Sequence, residues 1–296
     1  MKIIKPSFEI IEESDPLKKI EICGRVCYKS EDKITPDSSV RFVQNIIKRG
    51  HESVLEHANF IVCCDSYDMN MFVNICDYAR SFDSETILLR TTQKNRRNII
   101  SGNARMWRDF MRYTQKIGVT SNIFTIFKGI LFDDVNTTTQ GRTTAKFVDE
   151  KFLTEEEREI HCVETVRFIT DRGVSHEIVR HRMSSFSQES TRYCRYNDEV
   201  TFIKPCFDVP ELWYEFMQMA ENTYISMLEN SNTPQEARSV LPNEVKTEII
   251  MTTNRKNWRH FFELRTSTAA HPQMRELAIP LQGEMLRRWE DAKNKK

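Results

Sequence analysis

The segment Arg180 to Tyr193, RHRMSSFSQESTRY, gathers the side chains that hold phosphorylated ligands. It contains Arg180, His181, Arg182 and Arg192, hydroxyls at Ser184, Ser185, Ser187 and Ser190, the amide of Gln188, and Tyr193. A phosphate monoester carries nearly two negative charges and is best held by guanidinium forks, hydroxyls and backbone amides together. Ser190 and Arg192, two residues apart in a loop after a helix, supply those parts. Side chains at i and i+2 of a regular helix diverge by about 200°. Arg180 and Arg182 are therefore expected to grip two anions on opposite sides. A solvated basic helix end, favoured by the helix dipole, is the plain alternative for Arg-His-Arg alone.

The elements that must position this segment follow from periodicity and punctuation. Lys2 to Ile4, Phe8 to Ile11 and Asn59 to Cys64 read as strands, and Pro36 to Lys48 as a helix stopped by Arg49-Gly50. Met69 to Phe82 and Asn103 to Tyr113 read as helices, Ser121 to Phe132 is apolar and β-branched, and Asp133 to Lys151 reads as a polar excursion. Residues 159 to 172 read as a strand and Ser175 to Arg182 as a helix leading into a Ser-rich loop. Trp213 to Leu228 is a patterned helix, and Thr233-Pro234-Gln235-Glu236 is a capping box with Pro at the first helical position. Val245 to Thr253 is β-rich, Asn254 caps a helix to about Arg265, and His271 to Lys293 is a last amphipathic helix. Asn103, Trp107, Arg108 and Phe110 recur at the spacing of Asn254, Trp258, Arg259 and Phe261, a match short enough to arise by chance.

Composition excludes several classes. The 296 residues carry 43 Lys plus Arg against 43 Asp plus Glu, so no general basic excess invites nucleic acid, and any anion site must be local. No apolar run approaches the roughly 20 residues of a membrane helix, and the N-terminus has no secretory pattern. Eight scattered cysteines form neither a CxxC pair nor a disulfide framework, so reduced thiols in a cytoplasmic protein are expected. His51 and His57 are six apart and do not share a helical face, so no metal site is expected. Pro205-Cys206 has the dipeptide of the cysteine-dependent thymidylate synthases but not the following His, and Cys206 is expected to be structural. Lys94, Arg96 and Arg97 read as solvated surface.

Arg-His-Arg, seven residues and then Ser190, followed by Arg192 and Tyr193, resembles the defining motif of the flavin-dependent thymidylate synthases. RGHESVLEH, Arg49 to His57, resembles an earlier block of that family. Arg238 to Pro242, then Asn254, then FFELR ending at Arg265, resemble its C-terminal half. The resemblance covers about 1 to 64 and 160 to 290. It implies an α/β (α+β) fold with a mixed or antiparallel sheet flanked by long helices. It also implies one domain over 1–296 with an insertion at about 65–158, assembled as a homotetramer. The implied reaction is reductive methylation of dUMP to dTMP, with FAD as hydride carrier, NADPH as reductant and methylenetetrahydrofolate as carbon donor.

The resemblance implies roles by position. Arg180 lies near both nucleotide and flavin. Ser53, His181, Arg182, Gln188, Asn254, Lys256 and His260 fall at flavin-binding positions, and His51 lines the same pocket. Glu177, Gln188, Glu189, Ser190, Thr191, Arg192, Arg238 and Arg265 fall at dUMP-binding positions, with Arg265 the catalytic cation at the uracil edge. The chain departs from the family pattern at Ser187-Gln188 (usually Asn-Glu), Glu177 (usually Gln), Lys256 (usually Arg) and His260 (usually a smaller amide). Two alternatives are an RNA- or nucleotide-binding protein without catalysis and an inactive paralogue of the same fold.

Overall fold

The structure, a computed structural model, describes residues 1–65, 90–94, 97–118, 126–127 and 145–294. The helix expected over Met69 to Phe82, Cys76, Arg96, and most of 121–132 and 133–144 lie outside the described residues.

Strands β1 (Lys2–Ile4) and β2 (Ser7–Ile10) open the chain, and helix α1 (Pro16–Val26) follows. Asp15 starts α1 by accepting from the Leu17 and Lys18 amides, and Pro16 sits where its missing N–H costs nothing. That Asp-Pro signal is in the sequence, yet the helix was not expected there. Helix α2 (Ser38–Lys48) ends in the left-handed Gly50, φ +71, with Gly50 N donating to Ile47 O and His51 N to Ile46 O. This stop delivers His51 to a 3-10 turn, Glu52–His57, and the chain enters β3 (Asn59–Asp65). Gly24 lets α1 close on this region, because a Cβ there would lie 2.7 Å from the Phe42 ring and 2.8 Å from Val54.

Strands β4 (Arg90–Lys94) and β5 (Arg97–Asn103) precede helix α3 (Ala104–Lys116), and β6 (Lys146–Phe147) precedes α4 (Glu155–His161). Strand β7 (Val163–Asp171), helix α5 (Arg172–Ile178), β8 (Ser185–Gln188) and β9 (Thr201–Ile203) come next. Helices α6 (Glu211–Glu229) and α7 (Pro234–Ala237), strand β10 (Lys246–Asn254), and helices α8 (Arg255–Arg265) and α9 (Pro272–Asn294) complete the described chain.

Among the described residues, two four-stranded antiparallel sheets run in the orders β2-β7-β10-β8 and β4-β5-β3-β6, and β1 pairs with β9 in parallel. The fold is therefore of mixed helix and sheet, as expected. Helices α5, α8 and α9 cover the first sheet around Phe168, Ile249, Met251, Trp258, Phe261 and Leu281. Helices α1, α2 and α3 and the 3-10 turn share a second core around Leu55, Val62, Trp107 and Phe110. Among the described residues, no helix is long and apolar enough to cross a membrane.

Three expectations are corrected. The strand expected over 159–172 is β7, but it starts only at Val163; residues 159–161 close helix α4, because Thr154 and Glu157 form a capping box that starts a helix in the acidic run. The helix expected over Ser175 to Arg182 begins at Arg172 and ends at Ile178, because Asp171 accepts from the Val174 amide and acts as N-cap. Arg180 and Arg182 thus lie beyond the helix, and the i, i+2 divergence does not govern them. The Ser-rich loop contains a strand, β8, which pairs with β10 from Thr252↔Ser185 to Ile249↔Gln188.

The recurring Asn-Trp-Arg-Phe spacing is structural. Asn103 ends β5 and accepts from Met106 N at 2.8 Å; Asn254 ends β10 and accepts from Asn257 N at 3.0 Å. Both following tryptophans are fully buried.

Buried imidazoles join the layers. His57 places Nδ1 2.8 Å from Thr252 Oγ1 and Nε2 2.9 Å from Ser187 Oγ, and Thr252 meets Thr165 at 2.9 Å. His161 lies 2.9 Å from Thr92 Oγ1 and 2.8 Å from Ser101 Oγ. Burial, with the charge of Lys19, holds His57 down at about 3; burial, with the charge of Arg90, holds His161 down at about 4. Below pH 6.5 the unfolded chain takes up protons at both positions that the folded chain refuses. Unfolding free energy is expected to fall by about 1 kcal/mol per pH unit for each histidine as pH drops from 6.5 to 5. Urea unfolding across that window measures it, and a flat profile would show that the imidazoles are not kept neutral.

Candidate functional site

Helix α5 ends at Ile178, and the chain crosses from its end towards the start of α8. Met183 O accepts from Thr253 Oγ1 at 2.8 Å and from Asn257 Nδ2 at 3.1 Å, which fixes that crossing. His181 lies with its ring centroid 4.8 Å from Phe261 and 6.3 Å from His260. Arg265, at the end of α8, donates from Nε to His181 Nε2 at 3.0 Å, from Nη1 to Glu177 Oε2 at 2.8 Å and from Nη2 to Glu177 O at 3.0 Å.

Three of the five guanidinium N–H donors of Arg265 are thus engaged and two remain for a ligand. Its side chain is 18% exposed, so it is oriented by the protein yet reachable. Burial, with the neighbouring Arg265 charge, lowers His181 to about 4. The imidazole is therefore neutral at pH 7 and can accept from Arg265, its own proton lying on Nδ1.

A second group forms where β8 ends. Gln188 donates to Ser175 Oγ at 2.9 Å and Thr247 Oγ1 at 3.2 Å. Ser190 N donates to Cys27 O, and Ser190 Oγ accepts from Arg192 N at 3.3 Å. Arg192 lies over the Tyr193 ring and donates to Gln235 Oε1 at 2.9 Å, which brings α7, and the exposed Arg238 that follows it, to the turn. Tyr28 bridges to a third group: its ring lies 5.6 Å from Tyr193, and its hydroxyl is 3.4 Å from His51 Nδ1. His51 and Ser53 are both exposed on the turn that follows α2.

Behind this open side stands a buried ionic framework. Glu248 is engaged by Lys29, Lys246 and Arg167. Burial alone would raise its carboxyl, but hydrogen bonds and charges from Lys246 and Lys29 hold it down at about 2. Glu189 is buried, accepting from Tyr196 Oη at 2.7 Å and Lys246 Nζ at 2.9 Å. Burial, reinforced by the Glu189 charge, pushes the Tyr196 hydroxyl well above its ordinary value.

The structure brings His181, His260, Arg265 and Glu177 together, and sets Ser190, Arg192 and Tyr193 on one turn. It also turns two of the expected site residues inward. The Glu189 carboxylate belongs to the framework, and the Asn254 side chain is spent on the α8 cap and on Ile160 O. Thr191 is buried. Arg180, Arg182, Lys256 and His260 are exposed. Sequence reasoning missed Tyr28, His57, Ser175, Gln235 and Thr247, which meet the site from remote parts of the chain. Of these, His57 and Gln235 lay in motifs already noticed, Gln235 only as part of the Thr233 capping box.

The described residues thus hold an oriented guanidinium at Arg265, a neutral imidazole at His181, exposed arginines and a hydroxyl-bearing turn, groups able to hold anionic ligands. The family profile described as Thymidylate synthase complementing protein matches residues 9–75 and 135–289, well over half of the chain. The chain belongs to that family. Among individual proteins it is similar to flavin-dependent thymidylate synthase of Pyrococcus furiosus, 35% identical over 125 residues, which are 40% of this chain and 51% of the relative. The enzyme of the same name from Geobacter sulfurreducens is 36% identical over 128 residues, 39% of this chain and 51% of the relative. The chain spans about half the length of the curated relatives it matches. A crystal structure of Thymidylate Synthase X from Helicobacter pylori with FAD and dUMP is 23% identical, with a TM-score of 0.34, over 40% of this chain and 65% of the other.

Replacing Arg265 with Met removes the nearby charge and is expected to raise the His181 pKa from about 4, with burial still keeping it below 6.5. NMR titration of the imidazole carbons reads the shift. A wild-type His181 titrating at an ordinary value would refute the neutral acceptor.

Proposed function

We propose that this protein is a flavin-dependent thymidylate synthase, converting dUMP to dTMP with methylenetetrahydrofolate as carbon donor and NADPH as reductant of FAD. The observation that carries this reading is the oriented Arg265, fixed by neutral His181 and by Glu177 at the end of the Arg-His-Arg segment. Family membership and the names of the relatives support it.

The residues present fit both ligands. The exposed Arg180, Arg182 and Lys256, the Ser53 hydroxyl and the imidazoles of His181 and His260 suit an anionic, ring-bearing cofactor such as FAD, with His51 lining the same side. Bound there, FAD supplies hydride. Ser190, Thr191 and Arg192 are assigned to the dUMP phosphate, joined by Arg238. Only backbone groups of Thr191 are expected to contribute, given its burial. Arg265, with two free donors, is assigned to the uracil edge. There its permanent charge stabilises negative charge developing on the ring as C5 becomes nucleophilic, and its orientation is set beforehand, so no reorganisation is needed. Guanidinium does not donate a proton, so Arg265 acts by charge. Gln188 steadies the strand end through Ser175 and Thr247. The buried Glu189 and the capping Asn254 are assigned positioning roles.

We place the enzyme in the cytoplasm, as a single synthase domain interrupted at about 65–158 and assembled as a homotetramer. The exposed Leu212, Phe216 and Met219 on α6 support self-association. Sedimentation is expected to show four chains of 35.0 kDa; a monomer at micromolar concentration would overturn the assembly.

Purified protein is expected to bind FAD and show its visible spectrum, and dUMP with methylenetetrahydrofolate is expected to reoxidise the reduced form. The absence of both flavin binding and a dUMP response would sink the assignment. Ser190→Ala and Arg192→Ala are each expected to weaken dUMP affinity about 10- to 100-fold by removing a hydrogen bond to a charged ligand. Calorimetric titration showing unchanged affinity would remove the phosphate role from this turn.

A further inference from the structure

Helix α3 lies in the stretch from 76 to 134 that the family profile leaves unmatched. Its apolar residues Trp107, Phe110 and Met111 enter the same core as Val54 and Leu55 of the 3-10 turn. Arg105, Arg108 and Arg112 are spaced three and four apart, and so share one face. All three reach carboxylates of that turn. Arg105 Nη1 meets Glu56 Oε1 at 2.7 Å. Arg112 grips Glu52 with two forks, Nη2 to Oε1 at 2.7 Å and Nη1 to Oε2 at 3.0 Å. Arg108, 0% exposed, places Nη2 3.6 Å from the same Oε1. Arg108 thus adds a buried guanidinium charge beside the carboxylate that Arg112 grips. Asp109, between the arginines, accepts from Arg112 at 3.0 Å and lies 3.8 Å from Arg105 Nε, which holds both guanidinium groups on that face.

The turn held in this way begins at His51 and carries Ser53, and it ends in His57, bonded to Ser187 immediately before Gln188. Helix α8 shows the same device in the other half: its Arg259, the counterpart of Arg108, grips Glu159 on the helix before β7 at 2.7 and 2.8 Å. We propose that helix α3 is a positioning element of the cofactor site, holding the His51–His57 turn in place through Arg105, Arg108 and Arg112. This inference rests on the reading of that site as a flavin site.

The test uses the full-length protein and three variants: Arg112→Gln, Arg105→Glu, and Arg105→Glu combined with Glu56→Arg. Arg112→Gln and Arg105→Glu are each expected to raise the FAD dissociation constant about tenfold, while dUMP affinity stays within about twofold. The swapped pair restores FAD affinity, because it rebuilds the ion pair with its charges reversed. Hydrogen exchange of amides 52–58 is expected to quicken in the single variants and recover in the swapped pair. A loss of thermal stability with FAD affinity and exchange unchanged would leave α3 a structural support only and overturn the proposal. If wild-type protein binds no FAD, the flavin reading fails on its own; exchange over 52–58 then decides between a turn held by α3 and one indifferent to it.

Discussion

His57, with His161, sets the position of the two sheets relative to each other. It leaves the 3-10 turn, crosses to the first sheet, and bonds one hydroxyl on β10 and one on β8. Both ring nitrogens are used, and Thr252 passes the contact on to Thr165 of β7. In a dry interior each of these groups would cost roughly 1–3 kcal/mol if left unpaired. A shift of the turn relative to the strands would strand several at once. The fold therefore has one low-energy register between the layers, and the loop after β8 inherits it.

That loop is flat against a charged floor. Glu248 is surrounded by Lys29, Lys246 and Arg167, and Lys246 also holds Glu189, which in turn holds Tyr196. Lys29 adopts φ +48, a left-handed conformation that a lysine takes only when its surroundings over-determine it. The network satisfies its own charges internally. Glu189 is consumed there, and Ser190, Arg192 and Tyr193 on the same turn are left facing outward. The separation of inward and outward roles within five residues follows from which side of the turn the floor occupies.

The half that contains β3, β5 and α3 repeats the plan of the half that contains β7, β10 and α8: a strand, an Asn cap, a helix with a buried Trp, and an arginine reaching back to a carboxylate before the partner strand. In the second half, His260 and Lys256 are exposed. In the first half, the corresponding face is turned to Glu52 and Glu56. One structural unit leaves its helix face open in one place and pairs it with a neighbouring turn in the other.

The local elements that carry the candidate site were largely legible in the chain. Arg-His-Arg, the hydroxyl run, the Thr233 capping box, the Asn254 cap and Arg265 declare themselves within a few residues, since a cap or a phosphate turn is made by near neighbours. Long periodic elements such as α6 and α8 were legible for the same reason. What failed were boundaries: β8 is a strand only because β10 lends it an edge, and the local capping box of α4 takes the first residues of the strand expected over 159–172, which survives as β7. Sequence alone determined which residue types could hold two anions. Tertiary structure decided which of them are available. Glu189 and Asn254 are spent inward, His181 is kept neutral, and Tyr28, Gln235 and the arginines of α3 are brought in from far along the chain, because burial and pairing depend on what the fold places opposite each side chain.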